Sequence, residues 1–304
     1  MEIAIDPLRW RIGLVGYGEV GRILAEDLRA RGVRVSAFDL KLHGPEREPL
    51  CAHAAAHGVD LFATHAELAA GSELIVSAVT ASQAVAVAEA CAPAMVAGGW
   101  FLDFNSASPG AKIRAAGLVD GAGGRYVEGA VMTSIPPYRI RVPLLLGGAH
   151  AAALSPLLAA LGFAAKPASD RLGVASATKM CRSVMIKGLE AMVIESFTAA
   201  RAYGVEEQVL ASLAETFPGI DWEKQGSYFF QRVILHGRRR AEEMREAAQT
   251  VREIGLDPLS AAGTAKRQDW VADLADPGLL GARDLPRDDW RRDADRILAT
   301  LKKN

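Results

Sequence analysis

Residues 11–39 read RIGLVGYGEVG, then RILAEDLRARG, then VRVSAFD. The apolar run that ends at Val15 predicts a buried strand, and the helical spacing of apolar residues from Ile23 to Leu28 predicts a helix after the glycines. Apolar residues alternate again from Val33, which predicts a second strand. Strand, glycine-rich turn, helix and strand in this order are typical of the first unit of a doubly wound α/β sheet.

The three glycines of this turn have the G-x-G-x-x-G spacing of dinucleotide-binding loops. Gly16 permits a tight turn, Gly18 leaves room for a pyrophosphate, and Gly21 lets the helix pack close to the strand. The free N–H groups at the start of the helix favour phosphate binding. We therefore predict that the entire loop contacts the cofactor: Gly16, Tyr17, Gly18, Glu19, Val20 and Gly21. The alternative is an ordinary glycine-rich turn of an α/β protein, which would not require the strand, the helix and Asp39 that accompany the glycines here.

Asp39 closes this unit, 18 residues after Gly21. Its carboxylate can accept hydrogen bonds from ribose hydroxyls and would repel a 2′-phosphate, which predicts NAD in preference to NADP. Lys41 and Arg47 are close enough in sequence to weaken that preference.

Composition and length exclude several classes of protein. The chain has 304 residues, 50% of them hydrophobic, which is enough for two domains, each with its own core. Its net charge of −1 gives no indication of binding to nucleic acid or to an anionic membrane. Residues 1–7 lack the features of a signal peptide, and no apolar run reaches the ~18 residues of a membrane span. Cys51, Cys91 and Cys181 fit reduced thiols better than a disulfide framework. We therefore expect a cytoplasmic protein.

Strand and helix patterns alternate up to about residue 170, which predicts a Rossmann doubly wound sheet domain over residues 1–170. Strand signals then disappear, so an all-helical domain is predicted over residues 171–304. The later strands are predicted near residues 59–62, 74–79, 100–103, 126–127, 142–146 and 163–166. The helices of the second domain are predicted at residues 171–203, 205–216, 224–254 and 287–302. Val79 and Thr80, where the strand from residue 74 ends, are predicted cofactor contacts.

The first helix of the second domain carries a polar stripe on an apolar background. Apolar residues occupy most of its circumference, so we expect it to be largely buried: Met180, Cys181, Val184, Met185, Leu189, Met192, Val193 and Ile194. Polar residues nevertheless align on one side: Lys179, Arg182, Ser183, Lys187 and Glu190. One interpretation is a solvated edge on which Lys187 and Glu190 pair across one turn. The other is that the stripe lines the cleft between the domains, with Lys179 at the reacting centre.

A lysine in such a cleft can act as an acid and base. Its free pKa is ~10.4, and desolvation together with a nearby cation such as Arg182 would lower that pKa. The neutral amine of Lys179 could then take a proton from a substrate hydroxyl while the carbon gives up hydride.

Four segments, in order along the chain, resemble the β-hydroxyacid dehydrogenase family, which includes 6-phosphogluconate and 3-hydroxyisobutyrate dehydrogenases. They are GLVGYGEVG at 13–21, DFNSASP at 103–109, GAVMTS at 129–134 with LGG at 146–148, and GVASATK at 173–179. The resemblance implies that Lys179 is the catalytic acid/base. It also implies that Asn105 and Ser106 lie beside the nicotinamide and substrate, with Asn105 orienting both.

The chain departs from the family pattern at the expected substrate pocket. The segment Met132–Ser134 replaces Ser-Gly-Gly, so we expect a more crowded pocket in which Thr133 and Ser134 hold the carboxylate of a different acid. Arg182-Ser183 stands where His-Asn or x-Asn commonly follows the lysine, and both are predicted substrate contacts. Ile186 occupies the position of the glutamate of decarboxylating 6-phosphogluconate dehydrogenases, which counts against that activity.

The chain looks closest to a little-characterised, phosphogluconate-dehydrogenase-like branch whose helical domain carries a block like HGRRRAEEM at 236–244. One interpretation of this block is a solvated helix face with i,i+4 pairs between Arg238 and Glu242 and between Arg239 and Glu243. The other is that His236 and Arg240, one turn apart, reach a substrate anion.

Together these features predict an NAD-dependent oxidoreductase that transfers hydride between the nicotinamide and a 3-hydroxy acid or similar polar alcohol. An imine reductase of the same architecture is the nearest alternative, although such enzymes typically lack the lysine. A nucleotide-sensing protein without turnover is the alternative from another class. The resemblance, and the need to cover the long buried helix, also predict a homodimer.

We predict no metal site. His53 and His57 are spaced i,i+4, a spacing that can bind Zn²⁺, with His43, Cys51 and His65 nearby. The sequence shows no carboxylate-rich second element, and the segment maps to a peripheral helix of the sheet domain.

Overall fold

The computed structural model describes residues 6–282, 285 and 288–301. Residues 1–5 of the segment tested for a signal peptide, and residues 287 and 302 of the last predicted helix, lie outside the described part. The chain divides into two compact units, Met1–Met180 and Cys181–Asn304. Among the described residues, every helix is too short or too polar to cross a membrane.

The first unit is built on one eight-stranded sheet. Its strands are β1 (Arg11–Val15), β2 (Arg34–Phe38), β3 (Asp60–Leu61), β4 (Leu74–Ser77), β5 (Trp100–Asp103), β6 (Arg125–Val131), β7 (Leu144–Gly147) and β8 (Ala165–Ser169). Their order across the sheet is β3-β2-β1-β4-β5-β6-β7-β8, and every neighbouring pair is parallel except β6 with β7. The predicted doubly wound sheet is confirmed.

Helices connect these strands and cover the sheet. They are α1 (Glu19–Ala30), α2 (Arg47–His57), α3 (His65–Ala70), α4 (Ala84–Cys91), α5 (Pro109–Gly121), α6 (Ala151–Ala160) and the first turns of α7 (Val174–Tyr203). Strands β4 and β5 are buried at every position. Burial on both faces is expected for central parallel strands in an α/β layer, and it explains their continuous apolar sequences.

The register of the strands brings four strand ends to one edge of the sheet. Val15 pairs with Phe38 on one side and with Ser77 on the other, and Ser77 pairs with Asp103. The chain order reverses between β1 and β4, which makes this edge the topological switch point where doubly wound sheets bind ligands.

The second unit is entirely helical over its described residues. It contains the rest of α7, then α8 (Glu206–Thr216), α9 (Trp222–Glu253), α10 (Leu259–Ala275) and α11 (Trp290–Leu301). Sequence analysis did not predict α10, which packs along α9. Gly237 of α9 permits this close packing, because a Cβ there would lie 2.8 Å from the carbonyl oxygen of Gln268.

Helix α7 is less buried than predicted. Val193 and Ile194 are buried in the core of the second unit, but Met185 is 72% exposed and Met192 is 62% exposed. Cys181, earlier on the helix, is exposed as well. The prediction of a largely buried helix is therefore wrong for one face, since no described segment of the second unit covers these side chains.

Candidate functional site

The glycine-rich loop between β1 and α1 has the geometry of an anion-binding turn. Gly16 has φ +93°, and a Cβ there would lie 2.4 Å from the carbonyl oxygen of Ala78. A Cβ on Gly21 would lie 2.0 Å from the carbonyl oxygen of Gly16. At Gly18 a Cβ would meet nothing within 4 Å, and no side chain caps the start of α1. The open space and the N-terminal N–H groups fit the pyrophosphate of a dinucleotide.

Asp39 is fixed beside this loop at the end of β2. Its Oδ2 accepts a hydrogen bond of 2.7 Å from the backbone N–H of Tyr17, and its Oδ1 accepts one of 2.9 Å from the N–H of Lys41. The ammonium group of Lys41 lies 2.7 Å from Glu46. A carboxylate therefore stands at the strand end where the ribose of a dinucleotide would lie, and the nearest lysine in sequence is paired elsewhere.

Asn105 joins the ends of β4 and β5. Its Oδ1 accepts a hydrogen bond of 2.7 Å from the N–H of Val79, and its Nδ2 donates one of 2.9 Å to the hydroxyl of Ser77. Asn105 is 3% exposed, while Thr80, the next predicted cofactor contact, is exposed. The amide side chain is thus held in one orientation by the two strand ends.

A buried charge network beneath Asn105 was missed by sequence analysis. Lys112 of α5 places its Nζ 2.9 Å from Asp103 Oδ1, and the hydroxyl of Tyr126 donates to Asp103 Oδ2 at 2.7 Å. The N–H of Asn105 donates to the same Asp103 carboxylate at 2.9 Å. Burial and the adjacent carboxylate hold the pKa of Tyr126 well above its usual range, so its hydroxyl remains a donor. A lysine in the first turns of a helix is usually exposed, so nothing in the local sequence indicates that Lys112 is buried.

Lys179 lies beside the residue that follows Asn105. Its Nζ donates to the hydroxyl of Ser106 at 2.5 Å, and its side chain is partly buried. Two of the family-like segments, DFNSASP and GVASATK, therefore meet within the first unit. A primary amine, a hydroxyl and an amide in this arrangement can bind and move a proton at a substrate hydroxyl.

A buried glutamate holds the start of the helix that carries Lys179. Glu128 of β6 accepts a hydrogen bond of 3.0 Å from the N–H of Ala175 and one of 2.9 Å from the hydroxyl of Ser176. Gly147 makes room for it, because a Cβ at that position would lie 2.2 Å from Glu128 Oε1. A carboxylate at a helix N-terminus is stabilising and fixes the position of the following turns.

The segment Met132–Ser134 leaves β6 at the same edge, since β6 lies parallel to β5. Met132 donates its N–H to the carbonyl oxygen of Pro143 at 3.0 Å. Met132 and Ser134 are partly buried and Thr133 is exposed. The hydroxyl-bearing residues Thr133 and Ser134 follow the end of β6, as Asn105 and Ser106 follow the end of β5.

The predicted stripe on α7 has other partners in the second unit. Lys187 pairs with Glu243 at 2.6 Å and donates to the hydroxyl of Ser183 at 3.3 Å. Burial lowers the pKa of Lys187, while Glu243 opposes that shift. The predicted pairing of Lys187 with Glu190 is therefore wrong, because Lys187 pairs with Glu243 of α9. Arg182 is exposed.

Arg240 forms a buried ion pair with Glu190, which also accepts from Gln268 at 3.5 Å. This pair holds the guanidinium within the second unit, and the contact of Arg240 with a substrate anion stays a prediction. His236 is partly buried and lines a cavity of about 220 Å³ together with Arg238 and Asp276.

The i,i+4 pairs predicted for this block are half right. Arg239 pairs with Glu243 at 2.7 Å as predicted. Arg238 instead lies 2.7 Å from Asp273 and 2.8 Å from Asp276, because α10 places its acidic face against α9.

Comparison with known proteins identifies the family. Residues 11–162 match the model of the NAD binding domain of 6-phosphogluconate dehydrogenase, and residues 200–271 match DUF1932, a domain of unknown function. The chain belongs to the β-hydroxyacid dehydrogenase family, as the resemblance predicted. It is a member of a family of nicotinamide-dependent dehydrogenases and reductases.

Solved structures resemble the chain over nearly its whole length. A conserved hypothetical protein from Sinorhizobium meliloti is 34% identical, with a TM-score of 0.78 over 98% of this chain and 99% of that one. A 3-hydroxyisobutyrate dehydrogenase from Mycobacterium tuberculosis, solved with L-serine, is 18% identical, with a TM-score of 0.71 over 95% and 99%. A reductive aminase from Aspergillus terreus, solved with NADPH4, cyclohexanone and allyl amine, is 21% identical, with a TM-score of 0.54 over 95% and 99%. The last two likenesses concern the fold.

Proposed function

We propose that this protein oxidises and reduces a 3-hydroxy acid or a similar polar alcohol with NAD, using Lys179 as the acid/base. The observation that carries the proposal is the contact between Lys179 Nζ and the hydroxyl of Ser106, next to the fixed amide of Asn105. In alcohol oxidation a base removes the hydroxyl proton, and the nicotinamide, when bound, accepts the hydride. The amine of Lys179 takes that proton, and Asn105 orients the hydroxyl.

The cofactor half of the proposal uses the loop from Gly16 to Gly21 and the carboxylate of Asp39. The loop would hold the pyrophosphate through backbone N–H groups, with Val79 and Thr80 further along the same edge of the sheet. Asp39 would accept hydrogen bonds from the ribose and repel a 2′-phosphate. The pairing of Lys41 with Glu46 supports NAD over NADP, because it draws that cation away from the role of phosphate partner.

Substrate choice is assigned to the segment after β6. Thr133 and Ser134 offer hydroxyl groups to a carboxylate, and Met132 narrows the space beside them. This segment carries larger side chains than the Ser-Gly-Gly of the family pattern, so the substrate should differ from those of enzymes that keep that pattern. The proposal thus names a class of hydroxy acid. Measuring NAD⁺ reduction with a panel of such acids would identify the individual substrate.

The test of Lys179 compares three variants on whichever acid the screen reveals. Lys179→Ala should lower turnover by ~10²–10⁴-fold, the usual range for loss of a positioned proton carrier, with NAD affinity nearly unchanged. Lys179→Arg should not restore turnover, because guanidinium stays protonated. Lys166→Ala, at an exposed position of β8, is the matched control and should match the unmodified protein.

The rate of oxidation should rise with pH through one lysine-like ionisation, and this rise should disappear in Lys179→Ala. Near-normal turnover of that variant would refute the mechanism. NAD binding without turnover on any hydroxy acid would instead favour the nucleotide-sensing alternative. NADPH-dependent reduction of imines would favour the imine reductase alternative.

We also infer that two chains form a homodimer through the exposed face of α7. Met185 and Met192 lie one above the other at i,i+7 on this helix and remain largely exposed. Large exposed apolar side chains that line one helix face mark interaction sites, and a symmetric second copy is the usual partner in homo-oligomeric enzymes.

A further inference from the structure

Three potential metal ligands converge between α1 and α2 in the first unit. Glu26 comes from α1, and His53 and His57 lie one turn apart on α2. One ligand atom from each of the three lies within 4.8 Å of the other two. The two imidazole rings are stacked, with centroids 4.4 Å apart and planes inclined by 29°. The carboxylate that the sequence did not reveal thus comes from a neighbouring helix.

His53 is held between two oxygen atoms. Its Nδ1 lies 2.8 Å from the hydroxyl of Tyr17, and its Nε2 lies 3.0 Å from Glu26 Oε1. Tyr17 is fully buried, so its hydroxyl is a fixed partner for the ring. With Nε2 protonated, His53 donates to Glu26, and Nδ1 accepts from the hydroxyl of Tyr17. A metal at Nε2 would replace that proton, and the ring would then carry its proton on Nδ1 and donate it to the oxygen of Tyr17. Metal-binding histidines are oriented in this way by a hydrogen bond from the other ring nitrogen.

The second oxygen of Glu26 is also fixed. Arg139 places Nη2 2.7 Å from Glu26 Oε2 and Nε 2.8 Å from Asp27 Oδ1. These contacts leave Glu26 Oε1 directed at His53. The hydrogen bonds from His53 and Arg139 hold the pKa of Glu26 below its usual range, so the carboxylate is ionised at neutral pH.

We propose that Glu26, His53 and His57 form a site for a divalent transition metal, with Zn²⁺ the best match. Two imidazoles and one carboxylate are an established ligand set for Zn²⁺, whose bonds of about 2.1 Å place tetrahedral ligands about 3.4 Å apart. The spacing of Glu26 Oε1 and His53 Nε2 is close to this value. His57 is exposed, so its side chain can rotate to complete the set.

The site would stabilise the turn that precedes α1. Tyr17 belongs to the glycine-rich loop, and its side chain is the partner of His53. A metal bound by α1 and α2 would therefore fix the position of the Tyr17 ring through His53. This role depends on no assumption about the substrate or about Lys179, so it can be tested independently of the proposed function.

The test is calorimetric titration of the full chain with ZnCl₂ in a buffer that does not bind metal, with Co²⁺ absorption as a second measurement. We expect one saturable equivalent per chain, with a Kd at or below the micromolar range, and visible Co²⁺ bands of tetrahedral intensity. His57→Ala and Glu26→Gln should each weaken binding by at least about 10-fold, as expected when a ligand is lost. His57 is exposed, so its variant should keep the fold.

Two matched controls separate this site from other zinc-binding groups. His65→Ala removes a histidine of α3 that packs on Phe38, away from the cluster. Cys51→Ser removes the thiol on α2 nearest to His53 in sequence. Both variants should bind Zn²⁺ as tightly as the unmodified protein. The proposal is overturned if no saturable binding is seen, if His57→Ala binds normally, or if either control abolishes binding.

Discussion

The buried network beneath Asn105 allows a quantitative prediction about Lys112→Met. Lys112 is 1% exposed and Asp103 is fully buried. The ammonium group contacts Asp103 Oδ1 at 2.9 Å, the Asp103 carbonyl oxygen at 2.9 Å and the Gly129 carbonyl oxygen at 3.5 Å. Methionine fills a similar volume but cannot donate, so the variant leaves a buried carboxylate without its cation.

Removing one partner of a buried ion pair typically costs about 3–5 kcal/mol in free energy of unfolding. At about 2–4 °C per kcal/mol for a unit of this size, the melting temperature should fall by about 6–20 °C. Tyr126 and the N–H of Asn105 still donate to the Asp103 carboxylate, so we expect the lower part of each range. Urea unfolding followed by circular dichroism measures the change directly.

Two further variants make the reasoning refutable. Lys166→Met makes the same substitution at an exposed site and should change the unfolding free energy by less than about 0.5 kcal/mol. Asp103→Asn combined with Lys112→Met removes the unpaired charge, so the double variant should be more stable than Lys112→Met alone. A loss below about 1 kcal/mol for Lys112→Met, or a double variant that is less stable than it, would contradict the charge argument.

Three other predictions concern cofactor choice, oligomeric state and stability in acid. Asp39→Ala should narrow the preference for NAD over NADP, and equal affinities in the unmodified protein, measured by fluorescence titration, would contradict the role of Asp39. Light scattering at micromolar concentration should give twice the mass of one chain, and Met185→Glu with Met192→Glu should give the mass of a single chain. Because Arg201 holds the pKa of Asp295 below its usual range, this pair stabilises the protein at neutral pH and loses its contribution as pH falls below about 4. Arg201→Ala should therefore flatten the fall of unfolding free energy in acid, whereas an unchanged slope would show that the pair is unimportant.

The sheet domain was predictable because local pattern and global fold agree there. The central strands of the first unit, β1, β4 and β5, are short and mostly apolar runs, as parallel strands buried on both faces require. The turn from Gly16 to Gly21 could be predicted from its glycines, since backbone geometry alone demands glycine at Gly16 and Gly21. Local sequence is informative wherever the constraint itself is local.

The second unit was less predictable because its constraints come from distant residues. Helix α10 lacks a clear apolar stripe, and its position depends on Gly237 of α9. The partners of Lys187 and Arg240 could not be read from spacing, because both side chains reach across to another helix. Spacing along one helix predicts which residues share a face, but the facing helix decides which charges pair.

The residues that the sequence failed to predict in the first unit are those that position the predicted ones. Asp103 lies within the family-like segment, yet its partners Lys112 and Tyr126 come from the following helix and strand. A well-packed apolar cluster in their place could be equally stable, because desolvation offsets much of the attraction in a buried ion pair. An apolar cluster could not accept the N–H of Asn105, however, and so could not fix the backbone that presents its amide. The buried charges thus fix the backbone at the end of β5, where Asn105 and Ser106 follow Asp103. Because Ser106 contacts Lys179, the folding of this strand end is linked to the chemistry proposed for it.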